Sequence, residues 1–231
     1  MSYHFLIGLF RLFNLIGGHR IVRHGPGRLP ATGGAVLAVN HTSYVDFSYI
    51  GIEAHRTDRR YLRILAKAEL ADNPVLRFLM KGCGVIPVDR SAGHGAYLAA
   101  VEQLREGEIV VVYPEATISL SLEIKQLKTG AARMALEADR PIIPAIVWGS
   151  QRIAPKGARK NLGRTKVKVV VATGDPIAAA GTAEELTAAL AAAMTSLLHD
   201  VQEAYGPHPP GAAWVPARLG GSAPTPEEAA D

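Results

Sequence analysis

Apolar and polar blocks alternate along the chain, and most apolar blocks are short and continuous. The stretches "GAVLAVN", "YLRILAKA", "EIVVVYP", "PIIPAIVWG" and "KVKVVVATGDP" are rich in β-branched residues and have the length of buried strands. "GVIPVD" is shorter, and Pro87 confines it to a sheet edge or a strand's end. Between them lie blocks with helical spacing: "DFSYIGIEAH", "PVLRFLMKG", "AGHGAYLAAVEQLREG" and "TGAARMALEAD". In the third of these Tyr97, Val101 and Leu104 share a face, and Gly107 is a stop. A last helix opens on a capping box, Thr182 with Glu185, carries Leu186, Leu190, Met194, Leu197 and Val201, and ends at Gly206. This alternation predicts one α/β domain over residues 34–205, a mostly parallel or mixed sheet flanked by helices.

The two ends follow other patterns. Residues 1–33 begin with "YHFLIGLFRLFNLIGG", whose polar positions His4, Arg11 and Asn14 fall on one narrow helical stripe. Phe5, Leu6, Leu9, Phe10, Leu12, Phe13 and Ile16 cover the rest of that helix. Such a helix fits a membrane interface, and it equally fits docking on the protein's own core. The connector "HRIVRHGPGR" follows it. Residues 206–231 contain six prolines and no periodicity, the pattern of a disordered tail, with Trp214 the one residue suited to docking.

Composition narrows the picture. An apolar share of 48% supports a sizeable core and excludes disorder along the whole chain. The single cysteine, Cys83, excludes an internal disulfide framework and a cysteine-based zinc cluster, and suits a reducing compartment. No secretory leader is recognisable, and no apolar run approaches the roughly 20 residues that span a bilayer. The net charge is only +4, yet seven Lys or Arg and no Asp or Glu lie between Arg152 and Lys168. That stretch favours an anionic partner, or is a solvated loop and strand edge. With no aromatic platform or recognition motif beside it, nucleic acid is not the expected partner.

Three segments put polar residues just beyond a strand's end: "NHTSYVD", "GVIPVDRS" and "YPEATIS". Ligands of α/β sheets collect at the carboxyl ends of strands, so these segments point to one shared site. His41 and Asp46 suit general-base work, the imidazole taking a proton and the carboxylate fixing its tautomer. A capping Asp beside an unrelated His would look the same. Cys83 paired with His41 would make a covalent acyl-transfer enzyme, but lone cysteines are more often small buried residues. Ser43 lacks a nucleophile elbow around it. His19, His24, His55 and His94 have no metal-ligand spacing with one another, so no metal is expected.

The order H-x-x-x-x-D, "GVIPVDR", "YPEATIS" and "PIIPAIV" resembles the four motifs of the glycerolipid acyltransferases, and most closely those of the 1-acylglycerol-3-phosphate (lysophosphatidate) acyltransferases. The likeness covers about residues 35 to 150, and "ILAKAEL" also looks like the family. It implies that His41 is the base and Asp46 its orienting partner, with no acyl-enzyme, and that Glu115 and Thr117 match the third motif's glutamate and threonine. Arg90, and with it Lys67, would hold the acceptor's phosphate, a guanidinium suiting phosphate oxygens. The donor would be acyl-CoA or acyl carrier protein, with no cofactor. A lysophospholipid acceptor and the membrane lipid surface would be the partners, reached peripherally from the cytoplasmic side.

The third motif departs from the family's Phe-Pro-Glu-Gly-Thr-Arg-Ser at Tyr113, Ala116 and Ile118. Ala116 for Gly predicts an ordinary backbone region there. Ile118 removes a cation, which Lys125, Lys128 or a residue of the basic stretch can replace, or else the acceptor is a different lysophospholipid or a glycolipid. A non-catalytic lipid-binding relative is the reading from another class, and intact His41, Asp46, Arg90 and Glu115 argue against it.

Overall fold

A computed structural model describes residues 3–82, 84–88 and 93–229, and seven strands of these residues form one sheet. The strands are β1 (Arg20–His24), β2 (Ala35–Val39), β3 (Leu62–Lys67), β4 (Ile86–Val88), β5 (Ile109–Val112), β6 (Ile142–Trp148) and β7 (Lys168–Thr173). Their order across the sheet is β1-β7-β6-β2-β5-β3-β4. All neighbours run parallel except β6 and β7, which are antiparallel. The sheet is therefore mixed, and β2, β3, β4, β5 and β6 end at one common edge. Pro87 lies in β4, the edge strand, where a sheet tolerates proline.

Every residue of β2 and β6 is buried, which is why their sequences are continuous apolar runs instead of alternating ones. Leu37 and Val39 pack on one side with Tyr49 and Ile50 of α2 (Asp46–Glu53). Val36 and Ala38 pack on the other with α4 (Gly93–Arg105), α5 (Gly130–Ala138) and α6 (Ala183–Tyr205). The result is three layers, helix on sheet on helix. The capping box of α6 is formed: Thr182 accepts from the Glu185 N–H at 3.2 Å, and Glu185 accepts from the Thr182 N–H at 2.8 Å.

Two segments differ from the sequence reading. The connector after the first helix contains β1, which pairs with β7 from Arg20 opposite Lys168 to His24 opposite Ala172. The tail, expected without structure, folds back on the body. Val215 is fully buried, Trp214 lies against Tyr205 at 6.0 Å, and the Arg152 guanidinium sits 4.3 Å from the Trp214 ring centre. A few aromatic and aliphatic anchors order a segment whose proline content alone points to disorder.

The first helix, α1 (Tyr3–Gly17), packs on α2 and on α3 (Pro74–Gly82), and its Leu6 and Ile7 are buried. Its polar stripe does not face solvent throughout: Asn14 is buried and its Oδ1 lies 3.0 Å from His19 Nδ1. Leu9, Leu12, Leu15 and Ile16 are exposed instead, Leu15 at 77%. Among the described residues no helix is long and apolar enough to cross a membrane.

Candidate active site

The common carboxyl edge gathers the residues that leave β2, β5 and β6. Beyond β2, Asn40 turns inward and joins β6, donating to the Val147 carbonyl at 3.2 Å and accepting its N–H at 2.7 Å. The next residue, His41, stands at the rim with 22% of its side chain exposed. A tight turn through Thr42 and Ser43 then leads into α2, whose first residue is Asp46.

Asp46 is fully buried, and four donors meet its carboxylate. Oδ2 accepts the backbone N–H groups of Thr42 and Ser43, each at 2.9 Å, and lies 3.1 Å from His41 Nδ1. Oδ1 accepts the Ser150 hydroxyl at 2.5 Å. The carboxylate also stands at the positive end of α2. Because this oxygen can only accept, the His41 proton belongs on Nδ1, which leaves the lone pair on Nε2. The Tyr113 ring stacks on the imidazole at 4.2 Å and 29° and limits its swing.

Glu115 is reached by the turn after β5. It is buried at 3% exposure, with one oxygen accepting the His41 N–H at 2.9 Å and the other the Lys125 N–H at 3.3 Å. Burial pushes its carboxyl up to about 7, the largest influence, while the two backbone N–H groups oppose the rise. The same loop returns to His41 through Ser119, whose N–H donates to the His41 carbonyl at 2.7 Å. His41 is therefore held at its ring by the start of α2 and at its N–H and its carbonyl by the loop after β5.

The expected ordinary backbone at Ala116 is not found. Ala116 has φ 61°, and Leu122 in the same loop has φ 63°. A side chain in the left-handed region is strained, and here the turn that buries the Glu115 carboxylate imposes it. Thr117 is exposed, and Lys156 Nζ donates to its Oγ1 at 3.1 Å. Ile118 is buried. Lys128 is exposed, and its backbone N–H donates to the Pro114 carbonyl at 2.9 Å. Lys67 ends β3 at the same sheet edge. Arg90 and Cys83 lie outside the described residues. Among the described residues no three His, Cys, Asp or Glu side chains gather closely enough to share a metal ion.

Ser150 and Lys156 were not singled out from the sequence. Ser150 follows β6 in "WGSQR", so the strand-end rule that picked out His41 applies to it equally. Lys156 belongs to the basic stretch, but only the fold brings that stretch beside the third motif.

The family model for acyltransferases matches residues 20–148, more than half of the chain. The chain is 29% identical over 189 residues to the 1-acyl-sn-glycerol-3-phosphate acyltransferase of Bacillus subtilis (strain 168), covering 81% of this chain and 88% of that one. It is 31% identical over 166 residues to a probable 1-acyl-sn-glycerol-3-phosphate acyltransferase of Mycoplasma pneumoniae, covering 69% of this chain and 60% of that one. The crystal structure of the 1-acyl-sn-glycerophosphate (LPA) acyltransferase PlsC from Thermotoga maritima has the same fold, with a TM-score of 0.68 at 19% identity, covering 87% of this chain and 81% of that one. The chain belongs to the acyltransferase family and is an acyltransferase enzyme.

Proposed function

We propose that the enzyme transfers a fatty acyl group from an acyl thioester, acyl-CoA or acyl carrier protein, to the free hydroxyl of 1-acyl-glycerol 3-phosphate, giving phosphatidate. The observation that carries this reading is the His41–Asp46 pair, with Nδ1 tied to a buried carboxylate and Nε2 left for a proton. Nε2 takes the hydroxyl proton as the oxygen attacks the thioester carbonyl; the C–S bond then breaks, and the imidazolium returns the proton to the departing thiolate. No acyl-enzyme forms. A base of this kind is worth about 10²–10⁴ in rate. Asp46 steadies the imidazolium, and Glu115 positions His41 through its backbone. Arg90 and Lys67 are the proposed holders of the acceptor phosphate, with Thr117 and Lys128 at the loop beside it.

The names of the Bacillus and Mycoplasma relatives support lysophosphatidate as the acceptor. Buried, uncharged Ile118 favours a second reading, the same chemistry on another lysophospholipid or on a glycolipid. The exposed apolar face of α1 supports peripheral attachment at a membrane surface. The test is acyl transfer from palmitoyl-CoA, and from palmitoyl carrier protein, to glycerol 3-phosphate, lysophosphatidate, other lysophospholipids and a glycolipid. Phosphatidate as the dominant product supports the first reading; product from another acceptor alone moves the substrate and keeps the mechanism.

A further inference from the structure

A groove of about 490 Å³ opens beside the catalytic pair, within the size range of ligand sites, roughly 300–1,000 Å³. It begins at Thr42, the residue after His41, and Ser119, Leu120 and Leu122 of the third-motif loop line it next. Arg152 and Lys156 of the basic stretch form a second wall, and Trp214 and Pro224 of the tail form a third. The groove is thus apolar along most of its length, with cations from a segment that has no acidic residue between Arg152 and Lys168. Thr42 Oγ1, which is buried, has no hydrogen-bond partner among the described residues.

The cations are not equivalent. Arg152 is engaged at the tail, over the Trp214 ring and donating to the Tyr205 hydroxyl at 3.1 Å. Lys156 is exposed and reaches the third-motif loop, which has no Lys or Arg between Tyr113 and Glu123. A ligand that fits carries its phosphate a few bonds from the reacting hydroxyl and has one long apolar chain. A thioester donor presents its phosphates at the far end of a long arm, away from the reacting carbonyl, and matches less well.

Resting on the acyl-transfer reading above, we propose that the lysophospholipid acceptor lies in this groove. Lys156, beside Thr117, joins Arg90 and Lys67 as a holder of its phosphate, and its chain runs along Leu120, Leu122 and Trp214 under the folded-back tail. The tail is then part of the acceptor site, and Lys156 supplies the charge that the loop itself lacks.

Steady-state kinetics of the full chain with lysophosphatidate test this. Lys156→Ala is expected to raise the acceptor KM about tenfold or more, with kcat within about twofold and the donor KM unchanged, the signature of lost ground-state binding. Lys156→Arg restores most of the affinity. A lysophosphatidate with a brominated chain is expected to quench the emission of Trp214, and Trp214→Phe to abolish that quenching, because Trp148 is fully buried. A donor KM that moves while the acceptor KM stays, an unmoved acceptor KM, or no quenching at Trp214 each overturns the proposal. If the unmodified enzyme does not acylate lysophosphatidate at all, the function proposed above falls; if it does and Lys156→Ala behaves identically, only this inference falls.

Discussion

Four donors converge on Asp46, while Glu115 holds the backbone of its partner histidine, so the candidate site contains two buried carboxylates with different tasks. Glu115 carries a consequence for pH. Its folded value of about 7 exceeds the ordinary 4.5, so between these limits the folded state binds the extra proton. The stability it contributes is complete below about 4.5, falls as pH rises through that window, and is gone above about 7. Glu115→Gln removes this component. From pH 5 to pH 8 the stability difference between the two proteins should shift toward the variant on the order of 3 kcal/mol, read from urea midpoints. A difference that is flat across the window contradicts the shifted carboxyl. Ala116 makes the opposite kind of prediction, independent of pH. Its φ of 61° is one glycine accepts without strain, so Ala116→Gly should raise stability by roughly 0.5–1 kcal/mol despite the greater entropy loss of glycine. Equal or lower stability would mean that the loop has relaxed to another conformation.

At the scale of elements, what was legible depended on how far each one's cause reaches along the chain. β2, β5 and β6 announce themselves because burial on both faces demands an uninterrupted apolar run. The α6 cap was readable because all its parts lie within four residues. β1 was not, since "RIVRH" is only half-buried and its partner β7 is more than a hundred residues away. The tail misled for a related reason: its order comes from Trp214 and Val215 meeting α6 and the basic stretch, contacts that composition does not record. At α1 the apolar character was plain, but its direction was not. Asn14, His19 and Tyr49 form a buried polar contact on the inner side, which leaves the apolar outer face open. Replacing Leu12, Leu15 and Ile16 with Gln should therefore cut partition onto anionic vesicles at least about tenfold, each aliphatic side chain being worth about 1.5–3 kcal/mol when fully buried. The melting temperature should stay nearly constant. Unchanged partition would return that face to a purely structural role, and a large fall in melting temperature would mean that it packs inward.

For the whole molecule, the arrangement follows from one topological fact. Five parallel strands deliver their carboxyl ends to one edge, so His41, Glu115, Ser150 and the end of β3 at Lys67 share that edge although they are scattered across the chain. Strand ends could be read from the sequence, and with them His41, Asp46 and Glu115. What could not be read was which side of the edge the basic stretch and the tail would cover, because both lack regular periodicity and are placed by contacts with finished elements. The same edge faces the groove walled by the tail, while α1 lies at the opposite layer of the sheet from α4, α5 and α6. The account rests above all on His41 as the base. The direct test is the rate of acyl transfer to lysophosphatidate by His41→Ala, with its circular dichroism and melting curve matched to the unmodified enzyme. A fall of about 10²–10⁴ in kcat, in a protein that still folds, is the predicted result. Near-full activity in a correctly folded His41→Ala protein would contradict the mechanism.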